Sequence, residues 1–261
     1  MYERLPILKM LLTVVGLTVL TAAIMVPIRW NGQVASAEGP EIDNLLTGAI
    51  IASSFVFWLV MVMLVYALWK FRAKPGDESD GEPIHGNTRL EIAWTLIPTI
   101  LVLAGAGWSW YVLDDIEKRQ DGRMVVDVYS QQYAWSFTYP DENKWSQGEL
   151  HVPADRQIEF KMHALDVLHS FWVPEWRIKK DNVPGITTRA LITPDEEGTY
   201  QLVCTELCGI GHATMRAEVV VESQRDFDKW VRGLQTPPDA YPPTEGPSKR
   251  DPPGNVTSGG A

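Results

Sequence analysis

The 261-residue sequence predicts a membrane-anchored all-β protein, with transmembrane helices first and a β-sandwich or barrel after them. Three observations carry this reading. Long uncharged apolar runs fill the first 113 residues. Short strand-like stretches separated by turn residues begin at Arg123. The chain's only two cysteines stand with a histidine and a methionine between two of those stretches.

The apolar runs are Met10–Ile28, Thr47–Trp69 and Ile92–Leu113. Each holds roughly 20 residues, the length a helix needs to cross ~30 Å of hydrocarbon. No second half of a soluble core exists to cover them. Positive charge sets their orientation. Lys70, Arg72, Lys74 and Arg89 crowd the loop between the second and third runs, which places that loop in the cytoplasm, and Arg4 and Lys9 place the N-terminus there too. The loop after the first run carries Arg29 but also Glu38, Glu41 and Asp43, which suits the outer side, so everything after Leu113 is outside. Residues 1–37 have two readings: an additional transmembrane helix, or a signal peptide with Lys9 before its apolar core and Ala35-Ser36-Ala37 as the cleavage signature. Residues 45–113 form a transmembrane helical hairpin around the polar loop 70–89, and Pro98 is a kink that a membrane helix tolerates.

From Arg123 the pattern changes to strands: Met124–Tyr129, Tyr133–Tyr139, Gln157–Met162, Thr187–Ile192, Thr199–Val203 and Arg216–Val221. Turn signals separate them at Pro140–Asn143, Pro153–Asp155, Pro184-Gly185 and Pro194–Gly198. Gln224–Leu234 sets Phe227, Trp230, Val231 and Leu234 on one helical stripe, closing a domain at 123–234. Residues 235–261 are expected to be a disordered tail, because Thr236–Ala261 holds seven prolines and four glycines and little to bury.

The net charge is −10. From Asp114 onward there are 24 acidic against 16 basic residues, a balance of −8. That excludes a nucleic-acid partner, which demands a basic face, and permits a basic protein partner steered by long-range attraction.

Cys204-Thr205-Glu206-Leu207-Cys208-Gly209-Ile210-Gly211-His212-Ala213-Thr214-Met215 holds the chemistry. Thiolate, imidazole and thioether together form a soft donor set that suits copper. A Cys204–Cys208 disulfide would leave His212 and Met215 without a reason. Zinc would take a tetrahedron of Cys and His, and methionine does not ligate it. A mononuclear blue site needs only one cysteine, so two thiolates point to a two-metal cluster with both sulfurs bridging. Each metal then needs its own histidine. His212 is one. His85 is cytoplasmic on this topology, His151 and His163 remain open, and His169 stands in the strand-forming stretch Asp166–Pro174.

Cys-x-Glu-x-Cys-Gly-x-x-His-x-x-Met together with Asp166-Val167-Leu168-His169-Ser170-Phe171-x-Val173-Pro174 resembles the dinuclear copper (CuA) domain of cytochrome c oxidase subunit II. Leu90–Pro98, Lys180–Gly185 and Tyr133–Phe137 fall in the same order, and the resemblance covers about residues 45 to 234. It implies a transmembrane helical hairpin followed by a cupredoxin-like Greek-key β-barrel. It also implies two copper ions bound by His169, Cys204, Cys208 and His212, with Met215 a weak ligand to one copper and the Glu206 carbonyl to the other. The Glu206 carboxylate resembles one that reaches a magnesium or manganese ion shared with subunit I; a solvated loop acid is the plain alternative. Glu91 matches a carboxylate at a proton-channel mouth, or is an ordinary interface residue. Tyr133 stands where the family usually has the tryptophan that receives the electron, with Trp135 two places on, and strand alternation puts both on one face.

The implied activity is electron relay from a cytochrome c to the haem-copper subunit I, among other oxidase subunits, in the inner (plasma) membrane. The protein would be multi-pass, in contact with membrane lipid, with the copper domain on the periplasmic side. No haem-attachment motif is present, so the donor is a separate protein. A quinol oxidase subunit, which lacks the copper ligands, a nitric oxide reductase subunit and a tethered copper carrier are the alternatives.

Overall fold

The computed structural model describes residues 6–28, 32–73, 75–76, 83 and 85–241. Arg4, Arg29, Lys74, much of the polar loop and the chain from 242 on lie outside them. The structure divides into two units, one of 1–30 and 41–113, the other of 31–40 and 114–261.

The first unit is helical. α1 (Ile7–Met25), α2 (Gly39–Lys70) and α3 (Thr88–Ile116) are each long and apolar enough to cross a membrane. Within α2 and α3 only Gly39 and Val112 are buried, as expected of helices whose solvent is lipid. Helix contacts are specific where they occur. The Trp58 indole N–H donates to Thr21 Oγ1 at 2.8 Å, tying α1 to α2. Gly48 lets the Trp108 ring approach so closely that a Cβ would stand 2.5 Å from it. α3 starts at a reciprocal cap: Asn87 Oδ1 accepts from the backbone N–H of Arg89 and Leu90, and Glu91 Oε1 accepts from the N–H of Asn87. Pro98 is inside α3, flanked by Thr95 and Thr99, whose hydroxyls donate to the carbonyls four residues back.

The second unit is a sandwich of two five-stranded sheets. Its strands are β1 (Met124–Gln131), β2 (Ala134–Tyr139), β3 (Lys144–Gln147), β4 (Glu149–Pro153), β5 (Ile158–Ala164), β6 (His169–Val173), β7 (Ile178–Asn182), β8 (Thr188–Ile192), β9 (Gly198–Cys204) and β10 (Arg216–Glu222). One sheet runs β3-β2-β1-β5-β8 and the other β4-β10-β9-β6-β7. β1/β5 and β4/β10 pair in parallel, and the other pairs are antiparallel. Inward side chains of both sheets form one core, with Val126, Val128, Trp135, Phe137, Phe160, Phe171, Leu202 and Val219 fully buried. α4 (Gln224–Arg232) is capped by Ser223, which accepts from the Asp226 N–H, and buries Phe227 and Val231.

Six strands and the last helix fall where the sequence places them, within one to three residues. β3, β4 and β7 escape sequence reading. Two of them, β4 and β7, close the ends of one sheet and β3 an end of the other; β3 and β7 are held by pairing rather than by apolar alternation, while the alternation of β4, with only Leu150 and Val152 inward, is too short to mark it. Of the expected tail, residues 235–241 are described, and they are held: Trp145 N–H donates to Gln235 O, and Tyr241 stacks on Trp145 and accepts from Gln131 Nε2. Aromatic surface on the sandwich holds this proline-rich stretch as far as Tyr241.

One buried carboxylate anchors the start of the domain. Glu159, 2% exposed, faces Arg123, Arg119 and Arg189 at 2.6, 3.8 and 3.4 Å. Burial opposes its ionisation, but the Arg123 hydrogen bond and the guanidinium charges outweigh burial and hold the carboxyl below its usual range.

Candidate metal centre

β6 and β9 pair in register Phe171↔Cys204, which brings His169, at the start of β6, beside Cys204, at the end of β9. The chain then loops through Cys208, makes a single 3-10 turn at His212–Thr214 and enters β10 after Met215. Two backbone bonds fix the loop: Cys204 N–H to Met215 O, and Thr205 N–H to Ser170 O, both 3.1 Å. Two strands of one sheet thus hold the ligand loop at its neck.

The donors converge. Cys204 Sγ and Cys208 Sγ are 3.9 Å apart, far beyond the ~2.05 Å of a disulfide, and both are free thiols. His169 Nδ1 lies 3.8 Å from Cys204 Sγ, and His212 Nδ1 lies 3.6 Å from Cys208 Sγ. Met215 Sδ is 3.8 Å from Cys208 Sγ, and the Glu206 carbonyl is 3.4 Å from Cys204 Sγ. Each sulfur therefore has its own imidazole and its own weaker neighbour. His169 and Met215 are wholly buried, and the cysteines are 3% and 4% exposed. A dry, soft and convergent set of two thiols, two imidazoles and a thioether fits copper.

The other histidines are engaged elsewhere. His151 stacks on Trp230 at 3.8 Å with Nδ1 on Glu222. His163 stacks on Tyr129 and meets Asp127 and Thr187. His169 is the second imidazole of the cluster.

Asp166 was not singled out by sequence reasoning. Its Oδ1 lies 2.8 Å from His169 Nε2, so Nε2–H donates to the carboxylate and Nδ1 is left facing the sulfurs. The same carboxylate accepts from the backbone N–H of Val167 and of Gln132. Gln132 in turn donates its side-chain amide to the Cys208 carbonyl. An aspartate three residues before a ligand histidine was the available signal.

Electrostatics separates the two thiols. Burial disfavours the Cys204 thiolate, but hydrogen bonds from His169, the Ser170 and Glu206 backbone and His212 outweigh it and bring that thiol down to about 6. Burial and then the Cys204 charge push Cys208 up to about 11. Burial opposes the imidazolium of His169, yet its bonds to Cys204 and Asp166 raise it.

The two aromatics do not share a face. Tyr133 stands in the turn between β1 and β2, 40% exposed, because the strand resumes only at Ala134. Its ring lies directly against Gly209 and Gly211 of the ligand loop. Trp135 is fully buried, edge-on to His169 and Phe171 with ring centroids 6.2 and 6.0 Å away. Glu206 is half-buried on the loop. Glu91 stands in the helical unit, where its carboxylate caps α3.

The profile for the periplasmic domain of cytochrome c oxidase subunit II matches residues 146–224, and that for the family's transmembrane domain matches 29–112. The cytochrome c oxidase subunit 2 of Synechocystis sp. is 32% identical, over 77% of each chain. The chain belongs to the cytochrome c oxidase subunit II family. Membership makes the chain part of a haem-copper oxidase complex, and it agrees with the membrane helices and the cupredoxin-like, two-sheet domain seen here. The Alkalihalophilus pseudofirmus cytochrome c oxidase subunit 2 is 35% identical over 80% of this chain and 63% of its own length. A quinol oxidase subunit 2 of Bacillus cereus is 30% identical over 78% of this chain and 71% of its own length. Sequence likeness alone therefore spans relatives of both names.

Proposed function

We propose that this subunit accepts electrons from a cytochrome c at a dinuclear copper centre and passes them to the haem-copper subunit, which reduces oxygen and pumps protons. The observation that carries the reading is the paired geometry of the ligands: two unlinked thiols 3.9 Å apart, each facing a separate imidazole Nδ1. A copper pair, when bound there, would supply a one-electron carrier.

The residues then have distinct tasks. Cys204 and Cys208 would hold the copper pair through their sulfurs, with His169 and His212 each offering Nδ1 beside one of them. Met215 and the Glu206 carbonyl stand at the weak outer positions. Burial of His169, Met215 and both cysteines keeps water from their donor atoms, and β6 and β9 fix the neck of the ligand loop, which would keep reorganisation small. Asp166 fixes the tautomer of His169. Tyr133, half-open to solvent and seated on the ligand loop, is the uptake residue, and Trp135 supports His169 from inside. The donor meets an apolar surface: Leu207 and Ile210 on the loop are 83% and 103% exposed.

Three further assignments follow the family resemblance. The Glu206 carboxylate would hold a magnesium or manganese ion shared with subunit I. Glu91 feeds a proton channel in addition to capping α3. The copper domain lies on the periplasmic side of the plasma membrane, as the Lys70, Arg72 and Arg89 loop requires.

Rapid mixing of the purified oxidase with its reduced cytochrome c tests the reading. The copper absorbance should bleach before the haems reduce, and Cys204→Ser should abolish this step and slow haem reduction. Haem reduction at the unmodified rate in Cys204→Ser would refute the relay.

A further inference from the structure

Ala35-Ser36-Ala37 has the small-x-small spacing that a signal peptidase reads. In the structure the same residues have a different reason to be small. Ala35 is 1% exposed and Ser36 is fully buried. At Gly39 a Cβ would stand 2.4 Å from Val34 Cγ1. The segment threads between two parts of the β-domain and is bonded to both.

On one side, the Ala35 N–H donates to Glu175 O at 2.9 Å and the Ser36 hydroxyl donates to Trp176 O at 3.0 Å. The Arg177 guanidinium donates to Gly32 O. On the other side, Ser36 forms an antiparallel bridge with Pro194, and the Ala37 N–H donates to Thr193 O at 2.9 Å. The Thr193 N–H donates in turn to the Glu38 carboxylate. The two residues flanking the candidate scissile bond, Ala37 and Glu38, are thus both held by Thr193.

We propose that Ala35-Ser36-Ala37 is a built-in segment of the β-domain, bridged to it at Ser36, and not a processing site, so that α1 stays in the mature subunit as a permanent membrane helix. Hydrolysis of the Ala37–Glu38 bond would release the residues that fill this slot. It would leave the carbonyls of Glu175, Trp176 and Thr193 without these partners, which is costly where water does not reach.

A second observation, independent of this segment, points the same way. α1 is fitted to α2: Val14 and Thr18 are buried, and Thr21 takes the Trp58 indole N–H. An indole N–H facing hydrocarbon needs such a partner, and a departing leader would take that partner away. α1 lies outside the stretch matched by the family's transmembrane domain, which begins at residue 29.

The test is the N-terminal sequence and intact mass of the subunit purified in its oxidase complex from native membranes. The expected result is a chain that still contains α1 and reads through Ala37 into Glu38. A subunit beginning at Glu38, or anywhere between α1 and α2, would overturn the proposal. Ala37→Leu, which a signal peptidase would not accept, should leave the mass unchanged apart from the substitution; the appearance of an extra N-terminal segment in this variant alone would also overturn it. Ser36→Val in the full chain should lower the temperature at which the copper absorbance is lost, and an unchanged temperature would contradict the structural role of this segment.

Discussion

Gly211 lets Tyr133 reach the ligand loop, and a single methyl there should push it off. A Cβ at Gly211 would lie 2.5 Å from Tyr133 Cδ2, 2.6 Å from Cγ and 2.9 Å from Cε2. An unstrained carbon contact is about 3.5–4.0 Å, so the ring must retreat by about 1 Å. It has room to do so, being 40% exposed. The Gly211 backbone, with φ at −86°, accepts alanine without strain, so the effect is purely the collision. Overpacking of this kind costs ~1–3 kcal/mol. Tyr133→Ala removes the obstacle. The double variant should therefore be more stable than the sum of the two single changes by about 1–3 kcal/mol. Denaturant unfolding of the full-length, copper-loaded chain, followed by the copper absorbance, measures this cycle. Stopped-flow reduction of the same variants in the oxidase complex reads function: Gly211→Ala should slow electron uptake several-fold, as Tyr133→Ala does, with the copper spectrum unchanged. Additive stability losses, or undiminished uptake in Gly211→Ala, would refute the placement of Tyr133 on the uptake route.

Three other expectations rest on separate features. Asp166→Asn keeps the shape but not the charge that orients His169, and copper affinity measured by competition should fall by about 10–100-fold; an unchanged affinity would count against the His169–Asp166 bond. Trp135→Ala empties a fully buried site beside His169 and should destabilise the β-domain by ~3–5 kcal/mol in denaturant unfolding, whereas a primary effect on uptake with intact stability would reverse the roles given to Trp135 and Tyr133. Hydrogen bonds, that from His169 foremost, hold the Cys204 thiol below its usual range despite burial, while burial and the Cys204 charge hold Cys208 above it; copper must displace the Cys208 proton, so its affinity should rise with pH between 7 and 8. A potentiometric titration showing no proton release on copper uptake would contradict that order.

Much of the site was legible because its residues are local in sequence. Five of the cluster's residues, Cys204, Glu206, Cys208, His212 and Met215, fall within twelve positions, and their chemistry alone narrows the metal. His169 required a partner 35 residues away, and only the β6/β9 register shows why it, and not His151 or His163, completes the set. Asp166 escaped notice because a carboxylate on a loop looks like a solvated acid until its bonds to His169 and Gln132 are seen. The placement of Tyr133 failed for a local reason: the two-residue turn at Gln132-Tyr133 interrupts the alternation on which same-face reasoning depends. The membrane helices, by contrast, were plain from composition. The strands β3, β4 and β7 were not, since Lys144–Gln147 and Ile178–Asn182 are rich in polar residues and gain their structure from a neighbour, and the alternation of Glu149–Pro153 is too short to mark it.

In the proposed centre, Cys204 and Cys208 together hold two coppers. Its most direct test is the copper content and visible spectrum of the full-length chain, loaded in detergent and freed of excess metal. Two coppers per chain and a purple oxidised form are expected, both lost in Cys204→Ser and in Cys208→Ser. One copper per chain with a single intense blue band, or two coppers that survive either cysteine change, would contradict it.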